Sequence, residues 1–214
     1  MSVSSSFVHR FEPATRRDAP PLLLLHGTGG DENDLLPLGA AVAPGAALLS
    51  VRGKVLEHGM PRFFRRVAEG VFDEADVVRR AHELADFVEA ARVEYGLAAP
   101  IALGYSNGAN IAAAMLLLRP QTLRGAVLLR AMVPLANPPS PDLAGRPVLI
   151  LSGRQDAIVT AANGEKLAGL LATAGASVER QVIPASHALS QADVALAQRW
   201  LQGVRAGADV PAAE

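Results

Sequence analysis

The sequence predicts an α/β fold in which helices cover both faces of a mostly parallel sheet. Short, continuous apolar runs alternate along the chain with longer segments of helical periodicity. This alternation is typical of repeated strand–helix–strand units, whose strands lie parallel in one sheet. The central apolar runs do not alternate with polar residues, as expected for strands buried on both faces.

About seven strands and five helices account for most of the chain. The predicted strands are Phe7–Glu12, Pro21–His26, Ala46–Val51, Ile101–Tyr105, Ala126–Leu129, Pro147–Ser152 and Ser177–Ile183. The predicted helices are Asp31–Val42, Asp73–Tyr95, Asn107–Leu118, Ala161–Ala174 and Ser190–Val204. In the second helix, Val77, Ala81 and Leu84 recur at the spacing that places them on one apolar face. Residues 206–214 are expected to form a flexible tail.

Length and composition favour one domain spanning residues 1–214. The chain has 214 residues, half of them hydrophobic, which is enough for a sizeable core. We find no internal repeat and no low-complexity linker. A net charge of −1 gives no basic face of the kind that binds nucleic acid. The absence of cysteine excludes disulfides, thiolate chemistry and cysteine-ligated metals.

The sequence also predicts a cytoplasmic protein without a membrane span. Residues 1–20 are polar and lack the apolar centre of a signal peptide. The longest apolar runs are too short to cross a bilayer.

A catalytic serine is predicted at position 106. Gly104-Tyr105-Ser106-Asn107-Gly108 follows an apolar run and opens a helix-forming one, and Gly-x-Ser-x-Gly at such a junction is the pattern of a nucleophile elbow. Glycines two residues before and after the serine relieve the crowding of this tight turn. The alternative is a serine that only caps the helix between two packing glycines.

A serine hydroxyl needs a base to take its proton and a third group to orient that base. On this type of sheet the acid and the histidine follow later strands, in the chain order serine, acid, histidine. Asp156 follows the strand Pro147–Ser152 and His187 follows Ser177–Ile183, so both lie at the sheet edge that displays Ser106. Asp142 precedes its strand and is a poorer candidate. The alternative for Asp156 is a solvated carboxylate that caps the next helix.

A glycine-rich loop after the strand Pro21–His26 is predicted to bind the oxyanion of the reaction. His26-Gly27-Thr28-Gly29-Gly30-Asp31 lacks the lysine of a phosphate-binding loop, and Glu32 occupies the third glycine position of the dinucleotide pattern. We predict the backbone N–H groups of Thr28 and Asn107 as the two donors. The alternative is a plain tight turn in which Asp31 caps the following helix.

Three segments together resemble the phospholipase/carboxylesterase family of the α/β-hydrolase fold. They are His26–Leu35, Ser50-Val51-Arg52-Gly53 and Gly104–Asn110. The phrase Gly59–Arg66 is similar to small bacterial carboxylesterases and hydroquinone-resistance-type hydrolases. The resemblance extends from about Val8 to Leu201.

This resemblance implies metal-free hydrolysis of carboxylic esters through an acyl-enzyme, with no cofactor and often in a homodimer. It implies Ser106, Asp156 and His187 as the triad, and the N–H groups of Thr28 and Asn107 as oxyanion donors. No insertion is long enough for the large helical lid of many lipases. The lack of a lid favours small esters. Thioester or lysophospholipid hydrolysis on the same triad remains an alternative, as does a catalytically idle small-molecule binding module.

Some positions depart from the family pattern. Acyl-protein thioesterases tend to have Phe and Gln where this chain has Tyr105 and Asn107, which makes deacylation of proteins less expected. Ser186 stands where a glycine often precedes the histidine. Arg130-Ala131 is unusual for the subgroup, and its effect on the pocket does not follow from the sequence.

The longest predicted loop at the catalytic edge runs from Arg52 to Gly70. Its apolar residues Met60, Phe63 and Phe64 are predicted to form a substrate-binding wall, and Arg62, Arg65 and Arg66 a cationic rim. In the alternative, the phenylalanines fill the core and the arginines are solvated.

Overall fold

The computed structural model describes residues 7–16 and 18–208, and a seven-stranded sheet organises this part of the chain. The strands are β1 (His9–Glu12), β2 (Leu22–Leu25), β3 (Leu48–Val51), β4 (Val55–Glu57), β5 (Met60–Arg62), β6 (Arg66–Ala68), β7 (Val71–Phe72), β8 (Ile101–Tyr105), β9 (Gly125–Leu129), β10 (Pro147–Gly153) and β11 (Ser177–Ile183). The main sheet has the order β1-β3-β2-β8-β9-β10-β11. Only β1 runs antiparallel to its neighbour in it. The predicted sheet is confirmed.

Helices pack on both faces of this sheet. They are α1 (Leu36–Val42), α2 (Glu74–Tyr95), α3 (Asn107–Leu118), α4 (Ala161–Thr173) and α5 (Gln191–Ala208). In β2, Leu23 and Leu25 join the core cluster with α2, α3 and α4, whereas Leu22 and Leu24 face α1 and α5. Successive residues of a strand point to opposite faces. The positions of the central strands are therefore buried on both faces, except at the ends of β8 and β10, which explains the continuous apolar runs.

Two helix boundaries differ from prediction by more than one residue. The first helix begins at Leu36 rather than at Asp31, because the Asp31 carboxylate accepts the N–H of Asn33 (2.7 Å) and holds a turn there. Asp31 therefore does not cap this helix. The last helix extends through Ala208, and residues 209–214 of the predicted tail lie outside the described residues.

The segment after β3 is not the plain loop that we predicted. Strands β4 and β5 form one hairpin, and β6 and β7 form another. His58 and Gly59 turn the first hairpin with φ of 50° and 81°. Two successive positive φ values are typical of a type I′ turn, which joins strands tightly. As expected, no helical lid is inserted in the described part of this segment.

None of the five described helices combines the length and the apolar character needed to span a membrane.

Candidate active site

Ser106 occupies the turn between β8 and α3. Its φ of 52° and ψ of −113° are strained for a residue with a side chain, and its N–H donates to Leu129 O at 2.8 Å. A Cβ on Gly104 would lie 2.5 Å from Gly108 O, and one on Gly108 would lie 2.0 Å from Leu25 O. Both glycines are therefore required, because the turn presses its backbone against itself and against β2.

The structure brings Asp156 and His187 to Ser106 from two other strand ends. His187 Nε2 lies 3.0 Å from Ser106 Oγ, and its Nδ1 lies 2.9 Å from Asp156 Oδ2. Asp156 follows β10 and His187 follows β11, so the carboxyl ends of three parallel strands deliver the three groups. These side chains are 50 and 31 residues apart in the sequence, and the parallel strands bring their loops to the same edge of the sheet.

The hydrogen bonds assign the proton positions. The Asp156 side chain is fully buried, and its Oδ1 accepts the N–H groups of Ile158 (2.8 Å) and Val159 (2.9 Å). A carboxylate oxygen has no hydrogen to donate, so Oδ2 accepts from the imidazole. Nδ1 of His187 therefore carries the hydrogen, and the lone pair of Nε2 faces the Ser106 hydroxyl. This arrangement can accept the proton of the serine.

Tyr105, next to the serine, supports the same histidine. Its hydroxyl donates to His187 O at 3.1 Å, and the two rings lie 5.5 Å apart between centroids. Burial raises the pKa of the Tyr105 phenol, which keeps the hydroxyl protonated as a donor.

The two predicted oxyanion donors border one small cavity beside Ser106. Thr28 lies in the turn after β2, and Asn107 is the first residue of α3. In the described part of the chain, neither N–H donates to a protein acceptor. The side chains hold the two residues in place, because Thr28 Oγ1 accepts from Arg62 Nη1 (2.7 Å) and Asn107 Oδ1 accepts from Phe63 N (2.7 Å).

His26 is buried behind the Thr28 turn and fixes its shape. Its Nδ1–H donates to Gly27 O at 2.6 Å, and its Nε2 accepts the N–H of Gly53 at 3.0 Å. These contacts fit the neutral ring only, since a protonated Nε2 cannot accept. Burial lowers the pKa of His26 below its ordinary value.

This buried imidazole predicts a pH dependence of stability. Because the pKa of His26 is lower in the folded than in the unfolded chain, its contribution is complete above the unfolded pKa of about 6.5 and is lost as the pH falls below it. We expect the slope to approach about 1.4 kcal/mol per pH unit at most. Urea unfolding of the wild type and of His26→Gln between pH 7.5 and 5.5 measures it. A slope as steep in the variant as in the wild type would contradict this role.

The predicted substrate contacts Met60, Phe63 and Phe64 do not border the cavity beside Ser106. Phe63 and Phe64 are 3% and 0% exposed and belong to the core under α2 and α3, so their prediction as a wall is wrong. The pairing of β4 with β5 directs both phenylalanine side chains into the core. The sequence analysis treated this segment as a loop and therefore gave no register from which their direction could be predicted. Met60 is exposed and packs beside Gly29.

The predicted arginine rim is partly buried and paired. Arg62 is 3% exposed, and its Nε lies 3.2 Å from Glu57 Oε2. Arg66 Nε contacts the other oxygen of Glu57 at 2.9 Å, whereas Arg65 is exposed and pairs with Asp73. Arg62 is therefore not solvated; it connects the hairpin to the Thr28 turn. Nothing in the sequence spacing indicates this contact across 34 residues.

Apolar residues that the sequence analysis did not select border the cavity. They are Phe72, Met132, Ile158 and Val159. The cavity volume is about 50 Å³. Ile158 and Val159 lie two and three residues after Asp156, and Met132 lies three residues after the end of β9. Their nearness to this edge of the sheet was therefore the signal that the sequence offered.

Comparisons with known proteins show the family and the fold of this chain. The model of a family described as Phospholipase/Carboxylesterase matches residues 9–204. MhqD of Bacillus subtilis (strain 168), a protein named as a hydrolase, is 47% identical over 194 residues, which make up 90% of this chain and 96% of that protein. A Bacillus cereus carboxylesterase has a similar structure, with a TM-score of 0.90 and 45% identity over 93% of this chain and 95% of that one. A Mesorhizobium loti carboxylesterase gives a TM-score of 0.88 and 35% identity over 92% and 95%.

Proposed function

The chain belongs to the phospholipase/carboxylesterase family, and from this premise we propose that it hydrolyses small carboxylic esters with Ser106, His187 and Asp156 as its triad. The family and the similar structures are those of carboxylic ester hydrolases, and this protein is one. The observation that carries the triad is the unbroken contact from Ser106 Oγ through the imidazole to Asp156, at 3.0 and 2.9 Å.

In the first half-reaction, Ser106 Oγ attacks the ester carbonyl carbon while Nε2 of His187 takes the hydroxyl proton. The carbonyl oxygen becomes an oxyanion, which accepts hydrogen bonds from the N–H groups of Thr28 and Asn107. Asp156 stabilises the imidazolium without taking its proton. When the tetrahedral intermediate collapses, His187 protonates the leaving alkoxide, and the alcohol departs from an acyl-Ser106.

In the second half-reaction, His187 removes a proton from a water molecule that attacks the acyl carbonyl. The same two N–H groups stabilise the second oxyanion. Collapse returns the proton from His187 to Ser106 Oγ and releases the carboxylic acid. His187 accepts and donates the proton in each step, and the net reaction consumes one water molecule.

The cavity favours a short acyl group. Its volume of about 50 Å³ is far below the roughly 300 Å³ or more of a site that encloses a drug-sized ligand. Met132, Ile158 and Val159 form its apolar side, so each added methylene must displace a side chain or remain outside. A poorly fitting methylene changes transition-state binding by about 1–3 kcal/mol.

We therefore expect kcat/KM to fall about 10- to 100-fold from p-nitrophenyl acetate to the octanoate ester. Met132→Ala should reduce this ratio, since it removes the longest flexible side chain of the apolar border. Val93→Ala, an equivalent apolar truncation on α2 where the side chain is 86% exposed, should leave the ratio unchanged. Steady-state kinetics on an acyl series, with Ser106→Ala as the blank, measures it.

The same panel separates the remaining reactions. Acyl thioesters and lysophospholipids are included beside the esters. A kcat/KM that is highest for a long-chain lysophospholipid or for a thioester would contradict the assignment to small carboxylic esters while leaving the triad in place.

A further inference from the structure

Arg130 is a charged residue in a fully buried position. It follows β9, its exposed fraction is 0%, and its backbone has a φ of 58°. Buried charge and a left-handed backbone are both unfavourable for arginine, so both persist only where the surroundings compensate. Its partners therefore indicate what the residue does.

One set of partners is an ion pair with the start of α5. Nη1 and Nη2 of Arg130 donate to the two carboxylate oxygens of Asp193 at 2.7 and 2.9 Å. Asp193 also accepts the N–H and the hydroxyl hydrogen of Ser190, both at 2.8 Å. These bonds to the Asp193 carboxylate fix the first turn of α5, and through it the end of the loop that carries His187.

The other donors of the guanidinium grip that loop on either side of His187. Nε donates to Ser186 O at 2.9 Å, and Nη2 donates to Ala188 O at 3.2 Å. Nη1 also donates to Leu151 O at 3.3 Å. Leu151 belongs to β10, the strand that leads to Asp156. One planar group thus ties the histidine loop to the strand that delivers the acid.

Few other contacts hold this loop. Pro184, Ser186 and Ala188 are exposed, so apolar packing contributes little there. Among the described residues, the loop also receives hydrogen bonds from the Tyr105 hydroxyl to His187 O and from Gln155 N to Ala185 O at 3.0 Å, besides those of the His187 ring to Ser106 and Asp156. The position of the imidazole therefore depends on polar contacts, and Arg130 supplies two of them.

We propose that Arg130 is a positioning residue for His187: its guanidinium clamps the carbonyls of Ser186 and Ala188 and so holds the imidazole between Ser106 and Asp156. It does not touch the substrate and takes no part in proton transfer. The kinetic part of the test rests on the proposed function, whereas the NMR signal of His187 does not depend on it.

The test uses Arg130→Lys and Arg130→Met in the full chain, measured with p-nitrophenyl acetate and by proton NMR of the His187 Nδ1–H. A displacement of about 1 Å at a catalytic group costs on the order of 10²-fold in rate. We expect kcat to fall by about that factor with KM within about threefold, and the Nδ1–H signal to broaden or disappear. Lysine keeps the charge but cannot contact both carbonyls and Asp193 together, so it should not restore kcat.

The matched control is Arg146→Met. Arg146 also clamps a loop, since it donates to Leu123 O and Gln121 Oε1, but it precedes β10 at the opposite edge of the sheet. It should leave kcat and the NMR signal unchanged. Because Arg130→Met leaves Asp193 buried and unpaired, the double variant Arg130→Met with Asp193→Asn removes the charge imbalance and preserves a folded chain for the measurement.

A folded Arg130 variant that keeps both the wild-type kcat and the Nδ1–H signal would overturn the proposal. So would an equal loss of kcat in Arg146→Met, which would point to general destabilisation. If the wild type did not hydrolyse any ester but Arg130→Lys still lost the His187 signal, the positioning role would stand and the proposed function would fail.

Discussion

Alanine in place of Ser106 or of His187 is expected to lower kcat for p-nitrophenyl acetate by about 10⁴- to 10⁶-fold, roughly 5–8 kcal/mol of transition-state stabilisation. Ser106→Ala removes the atom that bonds to the acyl carbon. His187→Ala removes the base that lies 3.0 Å from the hydroxyl, and a neutral serine is a weak nucleophile. Steady-state kinetics measures the loss, and urea unfolding checks that the variants still fold.

The two substitutions should not be additive. Because serine and histidine act as one unit, the double variant should retain about the same residual rate as either single variant. Ser177→Ala, an exposed serine at the start of β11 and at the far edge of the sheet, is the matched control and should keep the parent rate. A Ser106→Ala protein that cleaves the ester at the parent rate would refute the triad.

Gly108→Ala is expected to have the largest effect on stability, about 3 kcal/mol or more of unfolding free energy. The added Cβ would lie 2.0 Å from Leu25 O and 2.6 Å from His26 O. Both atoms belong to backbone, at the end of β2 and the start of the Thr28 turn, so neither can rotate away. The helix α3 must move, and with it Ser106 and the N–H of Asn107. Urea unfolding gives the stability, and kcat should fall with it.

Gly169→Ala is the matched control, and we expect it to change the unfolding free energy in the opposite direction. Gly169 lies on the exposed side of α4, and an added Cβ there would have no neighbour within 4 Å. Alanine should raise the unfolding free energy by about 0.5–1 kcal/mol, because glycine is a poor helix former. Equal stability of the two variants would show that the close approach of α3 to β2 is not a constraint.

The sequence was sufficient for the sheet and for the candidate triad because both depend on local patterns with a geometric consequence. An apolar run that is buried on both faces predicts a parallel strand, and the carboxyl ends of parallel strands share one edge. Ser106, Asp156 and His187 each follow such a run. Their meeting could therefore be predicted without knowing any distance.

The sequence was insufficient where the outcome depends on hydrogen-bond register between distant segments. The two hairpins after β3 are short, and their pairing decides that Phe63 and Phe64 turn inward. The contacts of Arg62 with Thr28 and of Arg130 with Asp193 span 34 and 63 residues. No periodicity of the sequence predicts these contacts. The residues next to an arginine in the sequence do not show whether its side chain is buried or exposed.

The most direct test of the account is to treat the protein with a fluorophosphonate, which bonds to an activated serine, and to locate the adduct by mass spectrometry. We expect one adduct per chain, on Ser106, formed quickly in the wild type, at least 10³-fold more slowly in His187→Ala, and not at all in Ser106→Ala. An adduct on a different serine, or ester hydrolysis that continues in a protein with no adduct, would contradict it.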